Sequence, residues 1–150
     1  MSETVALKEI TRENIRAVLA LRVGPEQARF VPPVGDMIAR ATLEEAVWYR
    51  AVYAGETPVG FIKVWEANAV EPDLWGLLVD REHQGRGYAA RAVELAVARI
   101  RAHNPRARRL CVGFLAEDGS ARGFYEKMGF AVEREEEFDG WTELIAYKDI

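Results

Sequence analysis

The spacing of apolar residues along the chain switches repeatedly between a period of two and a period near 3.6, which predicts short strands interleaved with a few helices. Val5 to Ile10 alternates as a strand. Thr11 stands where an N-cap belongs, ahead of a helix carrying Ile15, Val18, Leu19 and Arg22, and Gly24-Pro25 ends it. Pro32-Pro33 and Gly35 break the next region, which predicts short helical pieces before Pro32 and after Asp36. Trp48 to Tyr53 and Val59 to Glu66 read as strands flanking Ala54-Gly-Glu-Thr-Pro58, a hairpin signature. After a loop at 67 to 73, a strand at 74 to 79 runs into a helix from about 87 to 103, which Asn104-Pro105 stops. Leu110 to Phe114 is the next strand, Ser120 to Met128 a short helix, and Ala131 to Phe138 and Thr142 to Lys148 a last strand pair turned at Asp139-Gly140. The path from strand 74–79 through the long helix to strand 110–114 predicts a right-handed βαβ unit, and the other neighbours predict antiparallel hairpins. The class is therefore α+β with a central parallel pair. With no linker or repeat, residues 1–150 are expected to form one domain.

The junction between the predicted strand and the long helix is the chain's most informative segment. Val79-Asp-Arg-Glu-His-Gln-Gly-Arg-Gly-Tyr-Ala89 leads from an apolar run into a turn where Gly85 and Gly87 alternate with Arg86 and Tyr88. Glycines let a backbone approach a ligand closely, and the unpaired N–H groups of a first helical turn attract anions. Taken alone, the pattern fits either an anion cradle or a plain strand-to-helix connection. It lacks the third glycine of a dinucleotide fingerprint and the Lys-Ser/Thr pair of a Walker-type loop. Upstream, Gly76 interrupts an otherwise apolar strand, which marks a bulge or a close backbone approach, or else simple packing relief beside Trp75.

A second segment, Asp118-Gly-Ser-Ala-Arg-Gly-Phe-Tyr-Glu-Lys-Met-Gly-Phe130, completes a pair of motifs. Together they resemble the GCN5-related N-acetyltransferase (GNAT) superfamily. The first matches that family's Gln/Arg-x-x-Gly-x-Gly/Ala signature at Gln84, Gly87 and Ala89. The second matches its Asn-x-x-Ala-x-x-Phe-Tyr-x-x-x-Gly-Phe signature at Ala121, Phe124, Tyr125, Gly129 and Phe130, with Asp118 replacing the Asn. The resemblance implies a mixed, mostly antiparallel central sheet of about seven strands, with a splayed central parallel pair and flanking helices.

It also implies acetyl transfer from acetyl-CoA to a primary amine by direct attack. The V-shaped gap of the splayed pair would admit the pantetheine arm along the backbone of Leu77, Leu78 and Val79. The pyrophosphate would rest on Gln84, Gly85, Arg86, Gly87, Tyr88 and Ala89. A strand N–H near Leu77 or Leu78 would polarise the thioester carbonyl. Tyr125 would protonate the leaving thiolate: a phenol near pKa 10 faces a thiolate near 8.5, a small mismatch. On spacing alone, Phe124-Tyr125 also reads as core. Asp118 would contact the pantetheine arm as an acceptor only. The general base stays open among Glu66, Asp73, Glu117 and Glu143.

Composition removes competing chemistries. A chain with 49% hydrophobic and 29% charged residues reads as an ordinary globule. The net charge of −4 argues against nucleic-acid binding and suits cationic ligands. His83 and His103 are the only histidines and Cys111 the only cysteine, so no metal is expected and an internal disulfide is excluded. Cys111 lies in an apolar strand and reads as an inert buried thiol. Ser2 and Ser120 leave no hydrolase triad. No apolar run reaches the roughly 20 residues of a membrane span and no leader is apparent, so a cytoplasmic protein without membrane contact is expected.

For the acceptor, the chain is most similar to the bacterial spermine/spermidine N-acetyltransferase-type subgroup. The likeness runs through Leu21-Arg-Val23, Gln27, Phe30-Val31, Val59-Gly-Phe61, Trp75, Asp80 and Glu143. Val34, Met37 and Gly76 depart from that subgroup's usual Asn, Ser and Arg. The likeness implies a polyamine-like small-molecule acceptor, with Glu143 as the expected contact. An acidic run of Glu133, Glu135, Glu136, Glu137, Asp139 and Glu143 agrees, although strand alternation lets at most half of it face one site. Acceptors such as a protein N-terminus, a lysine or an aminoglycoside stay open, as does a non-enzymatic acetyl-CoA sensor. The family is often dimeric; a homodimer is compatible with the residues, which do not themselves indicate one.

Overall fold

The computed structural model describes residues 3–117 and 119–150. Seven strands form one sheet in the order β1-β2-β3-β4-β5-β7-β6. They are β1 (Val5–Lys8), β2 (Val47–Ala54), β3 (Thr57–Trp65), β4 (Asp73–Val79), β5 (Arg109–Leu115), β6 (Ala131–Phe138) and β7 (Trp141–Asp149). The helices are α1 (Ile15–Leu19), α2 (Val34–Ala41), α3 (Tyr88–His103) and α4 (Arg122–Lys127). Every neighbouring strand pair is antiparallel except β4–β5. The α+β expectation holds, with its central parallel pair.

Side-chain alternation sorts the sheet into two faces. Val52, Val64, Leu74, Leu110, Val112, Phe114 and Leu144 form the main core with Ala92, Val93, Ala96 and Ile100 of α3. On the other face, Ala51, Tyr53, Phe61 and Leu78 pack beneath Val18 of α1 and Val34 and Met37 of α2. Beyond β4 that second face carries only a small separate cluster of Cys111, Ile145 and Tyr147.

One irregularity positions the site. The β3–β4 register shifts between Lys63 and Val64, so Trp75 is an extra residue on β4. A bulge bends its strand and steepens the twist. Accordingly β4 and β5 pair only at Asp73↔Cys111 and Leu74↔Val112 and then part. Gly76 sits immediately past the bulge, where a Cβ would lie 2.7 Å from Met37 Sδ. The bulge expected at this glycine is therefore present beside it, and the neighbour that crowds it is Met37.

The first third of the chain corrects the sequence expectation. The α1 helix covers only Ile15–Leu19, and its N-cap position is Asn14, not Thr11. The Thr11 N–H instead donates to Asn14 Oδ1 at 2.7 Å. Residues 25–30 form turns with no helix, and α2 starts at Val34, before Asp36, with Pro33 in its N-cap position. Proline fixes the backbone ahead of a helix without needing a donor, so Pro32-Pro33 launches α2 where a break alone was expected.

Candidate functional site

The turn from β4 into α3 is built to leave donors free. Gly85 and Gly87 hold φ of 78° and 81°, a left-handed conformation that side chains resist. A Cβ at either would meet nothing within 4 Å, so open space lies in front of both. The first intrahelical bond of α3 runs from Arg91 N to Gly87 O at 3.1 Å. The N–H groups of the preceding turn therefore lack helical partners. Asp80 braces the turn from behind, accepting from Arg22 N at 2.8 Å and Glu82 N at 3.2 Å. The Gln84 side chain also braces it: its amide donates to Val79 O at 2.9 Å and Gln27 Oε1 at 2.7 Å. Arg86 is exposed on the turn.

The open side of β4 follows from ladder alternation. Asp80 N donates to Val59 O at 2.8 Å, which places the Leu78–Phe61 pair in the same hydrogen-bonded set. The Leu78 carbonyl accordingly lies against Gly60, where a Cβ would overlap it. Leu77 and Val79 thus turn their N–H and C=O groups toward the gap left by β5, and the Gln84 contact to Val79 O fits that direction.

A cavity of about 610 Å³ occupies the gap and reaches the helix N-terminus. Among the described residues, all the expected cofactor positions line it except Arg86; Asp118 lies outside the described residues. Val23, Gln27, Phe30 and Val31 form the facing wall. Arg29 pairs with Glu117 and ties that loop to the β5–α4 connection. Their role as a wall was missed from the sequence. Phe30-Val31 ahead of two prolines was the available signal: apolar residues in a helix-breaking stretch need a surface to cover.

The second motif shapes the far wall. Gly129, at φ 97°, lets the chain turn out of α4 so that Phe130 N donates to Tyr125 O at 3.0 Å. Phe114, Phe124 and Phe130 surround the Tyr125 ring at centroid distances of 5.5, 5.1 and 5.4 Å. Tyr125 is 8% exposed yet lines the cavity, so its ring is core and its edge belongs to the site. Burial pushes its phenol well above the ordinary value.

The family model described as Acetyltransferase (GNAT) family matches residues 12–130. The chain belongs to the GNAT family. A search by sequence against curated proteins finds no match. Among solved structures, the GNAT chain is similar to an acetyltransferase from Thermus thermophilus, at 21% identity and a TM-score of 0.73 with both chains fully covered. It is also similar to the spermidine N-acetyltransferase from Vibrio cholerae in complex with CoA and spermine: 17% identity, TM-score 0.75, covering 97% of this chain and 95% of that one. The ribosomal-protein-S18-alanine N-acetyltransferase from Escherichia coli gives 16% identity and a TM-score of 0.72, with 98% and 94% covered. These likenesses establish the shared GNAT fold.

On the sheet face away from α3, the GNAT chain carries an acidic corner at the apex of the V. Asp73 is the first β4 residue and pairs with Cys111. Desolvation pushes its carboxyl up to about 6, with the Glu143 charge adding to the rise and the Trp75 indole opposing it. Glu143 projects from β7 over Gly113, where a Cβ would collide with its carboxylate. Burial raises its pKa as well. Glu66 pairs with Arg99 and Glu117 with Arg29, so two of the four base candidates are held by arginines. Cys111 is buried and its thiol is pushed up to about 12 by desolvation, as befits an inert residue.

Proposed function

We propose that this GNAT chain is an acetyl-CoA-dependent N-acetyltransferase acting on the primary amine of a small polyamine-like acceptor. One observation carries the reading: β4 and β5 part just beyond Asp73, which feels the Glu143 charge, and the cavity that opens between them runs to a glycine-framed helix N-terminus. The residues fit the cofactor, since open space fronts both glycines and the free N–H groups behind it suit a pyrophosphate. When bound, acetyl-CoA supplies the activated acetyl thioester.

The chain's residues then divide the work. Gly85 through Ala89 and Arg86 hold the anionic end, and the gap-facing backbone of Leu77 and Val79 orients the pantetheine arm. Leu78 contributes packing on the cavity side. Of Leu77 and Leu78, Leu77 directs its N–H to the gap and stabilises charge growing on the carbonyl oxygen. Asp118 is assigned to the same arm as an acceptor. Tyr125 delivers a proton to the thiolate. Its raised pKa keeps the phenol protonated but makes the transfer more uphill than ordinary values suggest. The same dry cleft also raises the basicity of a thiolate, which narrows the mismatch.

Asp73 accepts the ammonium proton and Glu143 holds the amine. An amine brought to the apex loses water, which lowers its pKa toward the raised one of Asp73. kcat/KM is therefore expected to rise through about pH 6 and then level. Asp73→Asn should remove that limb and most turnover. It should also stabilise the fold. The folded-state pKa is raised, so the favourable contribution is complete below the unfolded value near 4 and is lost as pH climbs through 6. At pH 7.5 the buried carboxylate costs on the order of 2–3 kcal/mol, and the variant should melt higher there but not at pH 4. An unchanged pH profile in Asp73→Asn would remove Asp73 as the proton acceptor.

The defining assay is acetyl-CoA-dependent thiol release with spermidine, spermine, putrescine, aminoglycosides and N-terminal peptides. Turnover with the polyamines supports the full reading. Turnover confined to peptides or aminoglycosides keeps the transfer and replaces the acceptor; acetyl-CoA binding with no turnover on any amine refutes the enzymatic reading.

A further inference from the structure

The face that carries the carboxylate pair also carries the chain's most exposed aromatic rings. Trp75, Phe138 and Trp141 are 41%, 43% and 49% exposed. Trp75 lies two positions after Asp73 on β4, and Trp141 two positions before Glu143 on β7, so each indole shares a face with a site carboxylate. Neither ring is loose. Trp75 stacks on Trp65 with centroids 5.0 Å apart and an interplanar angle of 5°. Lys63 Nζ stands 5.5 Å from its centre, held by a 3.2 Å bond to Met37 O. Trp141 stacks on Phe138 at 5.5 Å. Rigid exposed aromatics flanking half-buried carboxylates are costly to leave in water and well suited to an amphipathic cation.

Register also decides how much charge this face presents. Glu136 opposes Glu143, whereas Glu135 opposes Leu144 and Glu137 opposes Thr142, so the latter two point to the opposite face. Glu136 is bound by Arg134 at 3.0 Å. Arg134 in turn donates to the Tyr147 hydroxyl at 2.7 Å, and Arg109 covers the Tyr147 ring at 3.7 Å while pairing with Glu71 and Glu133. Most of the acidic run is thus spent or turned away. Asp73 and Glu143 remain for the acceptor, enough for one ammonium.

We propose that Trp75 and Trp141 wall the acceptor end of the cleft, and that the amine is recognised as a single ammonium followed by an apolar or aromatic stretch. This rests on the acetyl-transfer reading and narrows its acceptor: in a polyamine only the terminal aminoalkyl arm would be read, its further charges remaining in solvent. Simple alkylamines and arylalkylamines then belong to the substrate class.

The test compares spermidine, hexylamine and phenethylamine in wild type, Trp141→Ala and Trp75→Phe, following thiol release. The three amines should have kcat/KM values within about tenfold of one another, because area and one charge dominate. Trp141→Ala should raise the acceptor KM by about 3- to 10-fold, with kcat and the KM for acetyl-CoA changing less than about twofold. Trp75→Phe keeps an aromatic wall and should have a smaller effect. A preference for spermidine above about 100-fold, or an unaltered acceptor KM in Trp141→Ala, would overturn the inference while leaving acetyl transfer intact. Should none of the three be acetylated, calorimetric titration of phenethylamine into the CoA-saturated protein decides: binding that weakens in Trp141→Ala supports the wall, and absent or unaltered binding refutes it.

Discussion

Tyr125→Phe is expected to lower kcat by about 10²-fold or more, with acetyl-CoA affinity within about twofold of wild type. The ring is the structural part of this residue: three phenylalanines surround it at 5.1 to 5.5 Å, and phenylalanine fills the same volume. The change removes one oxygen at the cavity edge and leaves the core packed. Because that hydroxyl is assigned to proton delivery, the loss should fall on turnover and not on binding, the signature of an interaction made mainly in the transition state. Steady-state kinetics together with direct acetyl-CoA titration separate the two. A second readout follows from leaving-group chemistry: a more acidic thiol needs less help, so a thioester with an aryl thiol should narrow the gap between variant and wild type. Wild-type turnover in Tyr125→Phe would remove the residue from that role and leave it as core alone.

Gly87→Asp is expected to abolish measurable acetyl-CoA binding, with Kd rising at least about 100-fold. Two effects add. A non-glycine residue at φ 81° is strained by about 1–2 kcal/mol. The new carboxylate also enters the open space before the helix N-terminus, where it satisfies the donors assigned to the pyrophosphate and repels it. Gly87→Ala isolates the first effect, since nothing lies within 4 Å of its Cβ: binding should weaken only modestly while thermal stability falls a little. The aspartate variant should melt near the alanine variant, because a carboxylate at a helix N-terminus is itself favourable. Normal affinity in Gly87→Asp would contradict the placement of the turn.

The parts legible in the sequence share a property: each depends on local chemistry. Gly85 and Gly87, read from sequence as points of close backbone approach, have open space in front of them and a positive φ. The strand limits of β6 fall at Ala131–Phe138 as alternation predicts, and both GNAT signatures contribute residues to one cavity, Gln84, Gly87 and Ala89 from the first and Ala121, Phe124 and Tyr125 from the second. Where the local signal was weak, the reading erred. Residues 25–33 combine Pro25, Pro32 and Pro33 with scattered apolar positions, and nothing in their spacing says that Phe30 and Val31 wall the cleft from a non-helical loop. Asn14 displaced Thr11 at the start of α1 because its side chain reaches back to the Thr11 N–H, a contact of loop geometry and not of helix propensity.

Determined by sequence alone, then, were the class of fold, the order of strands and the glycine-framed turn into α3, since periodicity and glycine act over a few residues. The tertiary structure alone decided which carboxylates meet. Asp73 and Glu143 are 70 positions apart in the numbering, and only the β4–β5–β7 order, the Trp75 bulge and the bare backbone at Gly113 bring them to one apex. Glu66 and Glu117, equal candidates in sequence, are taken by Arg99 and Arg29 through contacts spanning 33 and 88 residues. Burial, which raises the pKa of Asp73 and Tyr125, is likewise a property of what packs around a group. A chain can announce a glycine turn within four residues, but a half-buried pair of acids needs the whole sheet.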